Sequence, residues 1–316
     1  MNKNSVLYKF LKRVENPQNN TFYTFLNFYF CLFLSINGKR VKKRINKEYP
    51  GKTILLLPTR SAGDLLFLRY KFSEMLNAAG INQYVLCVAS GGCYNAALTM
   101  NYDMVCPLSL IEQKSLLIHQ RTNIHNGKND VLDCYPWCMF DSKTAYKSGN
   151  DNRSFDDLVE NTRFDNEELI EKSVILSPYE NSMREHGLSV LPIKFWEELT
   201  SSLLNKGYSV YTNCVGNDNE PLVKGTKKIF PKFSEIEDCV SKSVCCVMIR
   251  SGFTDYAMSS QTPKIILYPN KSYYNFWSVT RTRNENNCEE IIYDEYVDNY
   301  SDLINRVSDY IDRKCS

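Results

Sequence analysis

Residues 245–269 read CCVMIRSGFTDYAMSSQTPKIILYP. A run of β-branched and sulfur residues, with Val244, Val247 and Ile249 among them, ends in Arg250-Ser251-Gly252. A polar turn and a short helical segment follow. After Pro263 a second apolar run begins, Ile265-Ile266-Leu267-Tyr268. This order predicts strand, tight loop, helix, strand, with both strands covered on two faces. In parallel α/β units of this kind, ligands sit at the loop on the carboxyl end of the strand. Small residues let the backbone approach closely, and the N–H groups opening the next helix favour an anion. Arg250 adds a permanent positive charge with a fork of donors. The stretch suits a phosphate or diphosphate. It also suits an ordinary strand–helix turn carrying a surface arginine, and local pattern alone does not separate the two.

Working outward, the 316 residues exceed the size at which one core keeps growing, so two domains are expected. A net charge of +2 gives no general attraction to nucleic acid, and no nucleic-acid-binding motif is present. The twelve cysteines lack the paired clusters of a zinc site. Cys134 and Cys138 are four apart and Cys245-Cys246 adjacent, while most others lie in apolar runs where cysteine packs as a small hydrophobe. Reduced thiols in a cytoplasmic protein are the expectation.

The alternation continues on both sides of the opening stretch. Thr53–Leu57 is a strand stopped by Pro58, and Leu65–Ala79 has helical spacing closed by Gly80. Tyr84–Val88 is the next strand, Ser90-Gly91-Gly92 a glycine turn, Met104-Val105 the start of a third strand and 108–117 a third helix. Residues 119–165 are polar and irregular around Cys134-Tyr135-Pro136-Trp137, as binding loops or interdomain connections often are. His119 and His125 fall there and are read as solvated. The pattern resumes with Val174-Ile175-Leu176 and with a helix from Pro192 to Lys206, where Trp196, Leu199 and Leu203 share a face. Tyr208–Tyr211 is a strand, and Ser234-Glu235-Ile236-Glu237 reads as a capping box. Tyr300, Leu303, Ile304, Val307, Tyr310 and Ile311 form the stripe of a terminal amphipathic helix. The fold expected is α/β, two doubly wound domains facing a cleft: 51–168 and 169–295, with 296–316 as the closing helix.

Residues 1–50 stand apart. TFYTFLNFYFCLFLSI (21–36) is apolar and aromatic, and GKRVKKRINK (38–47) is basic. The apolar run falls short of the ~20 residues a spanning helix needs. Nor does it carry a signal-peptide cleavage pattern. An aromatic segment with a basic flank suits a peripheral position at the inner membrane surface. The alternative is an edge hairpin followed by a solvated linker.

Four segments in this order resemble bacterial heptosyltransferase-type glycosyltransferases: TILLLPTRSAGDLLFLRYKFSEML (53–76), ILSPYEN (175–181), LPIKFWEELTSSLLNKGYSVY (191–211) and IRSGFTDYAMSSQTPKIILYP (249–269). The resemblance covers roughly 51–118 and 173–270. It implies the two-domain, Rossmann-like GT-B fold. It also implies transfer of a sugar from a nucleotide-sugar co-substrate to a glycan or lipid-linked acceptor, with inversion and without metal or other cofactor. By this resemblance Asp64, in the Gly-Asp that opens a helix, is the general base, with Arg60, Ser61 and Gly63 on the acceptor side. An aspartate there is also a good helix N-cap and needs no further role. Lys194 matches the lysine that neutralises donor phosphates, and Ser251-Gly252 the small-Gly pair approaching the diphosphate. Phe253 and Thr254 lie in the same turn. The chain has Arg250 where the family commonly has an acid, and Asp255 where it often has a histidine, so the donor sugar is not assigned to heptose. Asp255 can bond sugar hydroxyls, pair with Arg250 or simply occupy the first helical turn. Ser177, Tyr179 and Asn213 end strands on the nucleotide side, and Phe233 can stack on a base. Two other readings use the same fold, a nucleotide-sugar epimerase and a non-catalytic nucleotide-sugar-binding partner of a glycosyltransferase.

Overall fold

The computed structural model describes residues 21–59, 62–124, 131–134, 162–165, 172–180, 190–280, 287–296 and 299–315. Their elements run α1 (Thr21–Glu48), β1 (Thr53–Leu56), α2 (Ala62–Ala78), β2 (Tyr84–Ala89), α3 (Gly92–Leu98), β3 (Val105–Leu108), α4 (Leu110–Ile124) and β4 (Val131–Asp133). There follow β5 (Ser173–Ser177), α5 (Ile193–Asn205), β6 (Ser209–Asn213), β7 (Lys227–Ile229), α6 (Ile236–Ser241), β8 (Cys245–Ile249), α7 (Gly252–Ala257), β9 (Lys264–Tyr268), α8 (Lys271–Trp277), β10 (Cys288–Ile292) and α9 (Tyr300–Cys315). Two compact units result. Of the described residues the first holds 21–59, 76–94, 102–124 and 131–134; the second holds 62–75, 95–101 and all those after 135.

The first unit carries a parallel four-stranded sheet in the order β3-β2-β1-β4. Ile54, Leu55 and Leu56 are fully buried, as a strand covered on both faces requires. β4 was not expected. It is three residues long, inside a polar stretch, and is fixed by pairing Ile54 with Val131 and Leu56 with Asp133. The segment set apart at the N-terminus, neither a hairpin nor a linker in its described part, is the single helix α1. Leu34, Val41 and Ile45 on one face of α1 are buried, and the helix packs closely on α4. Gly38 makes that approach possible: a Cβ there would lie 2.1 Å from the Ser115 carbonyl oxygen and 2.5 Å from His119 Cβ. Beside it Asn37 Nδ2 donates to Ser115 Oγ at 2.9 Å. No described helix is long and apolar enough to cross a membrane.

In the second unit a parallel six-stranded sheet has the order β10-β9-β8-β5-β6-β7. Its core joins Phe195, Trp196, Leu199 and Leu203 of α5 to Leu303, Ile304, Val307, Tyr310 and Ile311 of α9. The two helical stripes read from the sequence therefore form one layer of the core. Gly207, with φ +84°, turns the chain out of α5 in a conformation only glycine adopts readily. Residues 162–165 dock on α6, where Phe164 N–H donates to Asp238 at 2.7 Å and Lys242 bonds that carboxylate at 2.8 Å. Helix α6 starts at Ile236 rather than in a Ser234 capping box: a 3-10 turn over Phe233–Glu235 precedes it, capped by Lys232 and Glu235, and the Ser234 hydroxyl accepts from Thr162 Oγ1 at 2.9 Å. Cys87, Cys106, Cys134, Cys214, Cys239 and Cys246 are buried free thiols. Burial pushes the Cys239 thiol up to about 12, so it packs as a protonated, nearly apolar group.

Candidate functional site

Strand order marks a candidate site in the second unit. The chain runs β5, β6, β7 toward one edge, then returns to the other side of β5 for β8, β9 and β10. The reversal falls between β5 and β8, which pair from Val174↔Cys245 to Ser177↔Met248. A crevice opens at such a reversal outside the carboxyl ends of the two strands. Ser177 ends β5, and Arg250-Ser251-Gly252 follows β8. The turn after β8, the start of α2 and the ends of β5 and β6 meet at or beside this point.

Arg250 is buried, with 7% of its side chain exposed, and so is Asp255, with 6%. Their contact is two-pronged: Arg250 Nη2 lies 2.7 Å from Asp255 Oδ1, and Nη1 donates to Oδ2 at 3.0 Å. Nη1 also donates to the Ser251 carbonyl at 2.7 Å and Nε to the Trp277 carbonyl at 3.1 Å. The guanidinium carbon stands 5.8 Å from the centre of the Trp277 indole. Arg250 is thus not the surface arginine of an ordinary strand–helix turn. Its donors close the loop onto α7 and onto the end of α8. Asp255, the partner five residues later, takes the pairing role among its three possible ones.

Thr254 is fully buried and stitches the same turn. Its Oγ1 accepts from Ser251 N–H at 3.1 Å and donates to the Ile249 carbonyl at 3.1 Å. Ser251, Gly252 and Phe253 remain half-buried at the turn's surface. A Cβ on Gly252 would lie 3.4 Å from the backbone nitrogen of Gly63, in the part of α2 that belongs to this unit. Tyr256 Oη reaches the Ala62 carbonyl at 3.4 Å, and the Tyr256 ring meets Phe233 with centres 5.1 Å apart. Gly63 and the neighbouring Asp64, in the first turn of α2, thereby come beside the Ser251-Gly252 turn. Phe233 is tied to the same cluster through Tyr256.

At the adjoining strand ends Asn213 Nδ2 donates to Ser177 Oγ at 3.2 Å. Tyr179 Oη donates to the Pro221 carbonyl, a contact that holds the loop between β6 and β7. Lys194 is in the first turn of α5. It is 80% exposed on the outer face of α5 and pairs with Glu198 at 3.5 Å, one helical turn on. Arg60, Ser61, His125 and Cys138 lie outside the described residues.

Sequence reasoning missed the second layer behind Arg250. Glu290 of β10 accepts from Val279 N–H at 2.8 Å and Ser278 Oγ at 2.7 Å, and also from the hydroxyls of Tyr268 and Thr280. Burial raises the Tyr268 phenol, Arg250 opposing and the Glu290 carboxylate adding to the shift. Glu290 and Arg250 together fix the Trp277–Thr280 segment. The one available signal was an acid within a strand-length run, CEEII, too short to be read in isolation.

Comparison with known proteins gives no matching family model and no matching curated protein. Among solved structures the chain is similar to the E. coli heptosyltransferase WaaC with ADP, at 12% identity and a TM-score of 0.45, over 83% of this chain and 99% of that one. WaaC with ADP-2-deoxy-2-fluoro heptose gives 11%, 0.43, 82% and 99%. The glycosyltransferase SnogD from Streptomyces nogalater gives 8%, 0.36, 80% and 77%.

Proposed function

We propose that the chain is a glycosyltransferase that moves a sugar from a nucleotide-sugar donor to a glycan or lipid-linked acceptor in surface-polysaccharide synthesis. The observation that carries this reading is the meeting of two small-residue turns. Gly252, after the strand at the order reversal, lies against Gly63, and Gly63 precedes the only carboxylate in the first turn of α2. The sequence resemblance supports the same roles for these positions. The donor diphosphate lies over Ser251-Gly252, where the lack of bulk lets oxygen atoms approach the backbone. Asp64 takes the proton from the acceptor hydroxyl as its oxygen bonds to the anomeric carbon. The carbon–oxygen bond to the diphosphate breaks on the opposite face, so the configuration inverts and the nucleoside diphosphate departs. No protein-bound metal or cofactor takes part. Arg250 and Asp255 are positioning residues: they hold the turn that meets the leaving group, where charge grows in the transition state.

Thermal shift against UDP-, GDP-, ADP-, CMP- and dTDP-linked sugars tests the donor site, because a ligand that binds only the folded state raises the melting temperature. One nucleotide class is expected to raise it, and no shift with any of them removes the proposed site. Asp64→Asn then tests the chemistry. The donor shift is expected to stay while acceptor-dependent release of nucleoside diphosphate falls about 10²–10⁴-fold, the usual contribution of general base catalysis. Release that survives the substitution assigns the base elsewhere.

A further inference from the structure

Helix α1 carries a second surface that glycosyl transfer at the second unit does not use. Leu34, Gly38, Val41 and Ile45 line its buried side against α4. Diametrically opposite, Tyr29, Leu32, Phe33 and Ile36 are 54%, 48%, 57% and 51% exposed. Their spacing of i, i+3, i+4, i+7 puts them on one stripe, about 10 Å long at the helical rise. The stripe continues without a break into exposed Arg40, Lys43 and Lys47, with Lys39 and Arg44 at its margins. From 21 to 47 the sequence has no acidic residue, although the whole chain carries only +2. Of these cations, Arg44 pairs with Glu112 at 3.0 Å.

One exposed face that is apolar at one end and cationic at the other is matched by an anionic bilayer surface. Aromatic and aliphatic side chains enter the boundary between headgroups and acyl chains while lysine and arginine reach the anionic headgroups. A protein partner would have to supply a hydrophobic groove running on into an acidic one. A spanning role is closed to α1, which is not long and apolar enough to cross a membrane. We propose that α1 docks the protein flat on anionic lipid through Leu32, Phe33 and Ile36 together with Arg40, Lys43 and Lys47. The stripe lies on the face turned away from the α4 packing, so docking requires no unfolding. It rests on the geometry of α1 alone and is independent of the transfer reaction.

The test is flotation of the full chain with vesicles of phosphatidylcholine, and of phosphatidylcholine with about one-third phosphatidylglycerol. Binding is expected to the anionic vesicles only, and to weaken at least about tenfold in high salt as the charges are screened. Arg40→Glu/Lys43→Glu is expected to lower it at least about tenfold, since two attractive charges become repulsive. Leu32→Ser/Phe33→Ser/Ile36→Ser should abolish it. Lys224→Glu/Lys314→Glu, the same charge change on exposed sites of the second unit, should bind like the parent. Melting curves of the variants matching the parent confine each effect to the surface. Three results overturn the proposal: no vesicle binding, equal loss in the Lys224/Lys314 control, or a stable dimer that the triple serine variant dissociates. The last assigns the stripe to a second copy of the chain.

Discussion

Two cations nominated for one phosphate, Lys194 and Arg250, ended in opposite surroundings. Lys194 stands 80% exposed on a helix whose other face is core, holding Glu198 in an ordinary i, i+4 pair. Arg250 is 7% exposed, clamped two-pronged by Asp255 and bonded to the carbonyls of Ser251 and Trp277. The difference is one of desolvation. An exposed pair gains little because water screens it and both side chains must be ordered. A buried guanidinium must have its donors matched, and once matched it fixes the backbone that matches it. A sequence motif reports that a cation is near a turn. Only its surroundings decide whether it faces a ligand or holds the turn together.

The contrast can be broken by substitution. Arg250→Ala takes the guanidinium away from the buried Asp255 carboxylate and its donors away from the Ser251 and Trp277 carbonyls, and should cost about 3–5 kcal/mol in a denaturant melt. A loss below about 1 kcal/mol would mean that Arg250 is not what holds the turn. Asp255→Asn keeps the shape and removes the charge, so a smaller loss of about 2–3 kcal/mol is expected by the same measurement. Replacing both, Arg250→Met with Asp255→Leu, removes the pair and its desolvation together. Its cost should be about 1 kcal/mol, less than either single change, by the same measurement. This folded double variant also sharpens the role of Arg250. A donor-induced thermal shift that survives in it marks a positioning residue; loss of the shift at unchanged stability marks a direct phosphate contact. Lys194→Ala should move stability by no more than about 0.5 kcal/mol, and a larger change would show that its exposure is not its working environment.

Legibility differed from element to element for physical reasons. The run 245–269 reads as strand, loop, helix, strand, and the structure has β8, the Arg250–Gly252 turn, α7 and β9 there. Strands covered on both faces need unbroken apolar runs, which short-range pattern reveals. The stripe from Tyr300 to Ile311 was equally plain, because burying one side of a helix imposes a 3.6-residue period. β4 and β7, three residues each, and β10, CEEII, have no such signal and are strands because their neighbours offer ladder partners. Ser234 had the spacing of a cap and became a partner of Thr162, 72 residues away. In α1 the run of aromatics with a basic flank was legible, but its helical form and buried face depend on α4, which accepts Gly38 at close range.

Sequence alone determined the parallel α/β character, the placing of small residues and aspartate at strand-to-helix turns, the two core helical stripes and the concentration of positive charge between 38 and 47. These are local or periodic properties, written residue by residue. Tertiary structure decided the rest: that the strand order reverses between β5 and β8, that Gly252 meets Gly63, that Arg250 turns inward to Asp255 while Lys194 turns out to water, and that Glu290 holds the segment behind them. Each depends on contacts between residues far apart in the chain or on the water excluded around them, and neither quantity is carried by any short stretch of sequence.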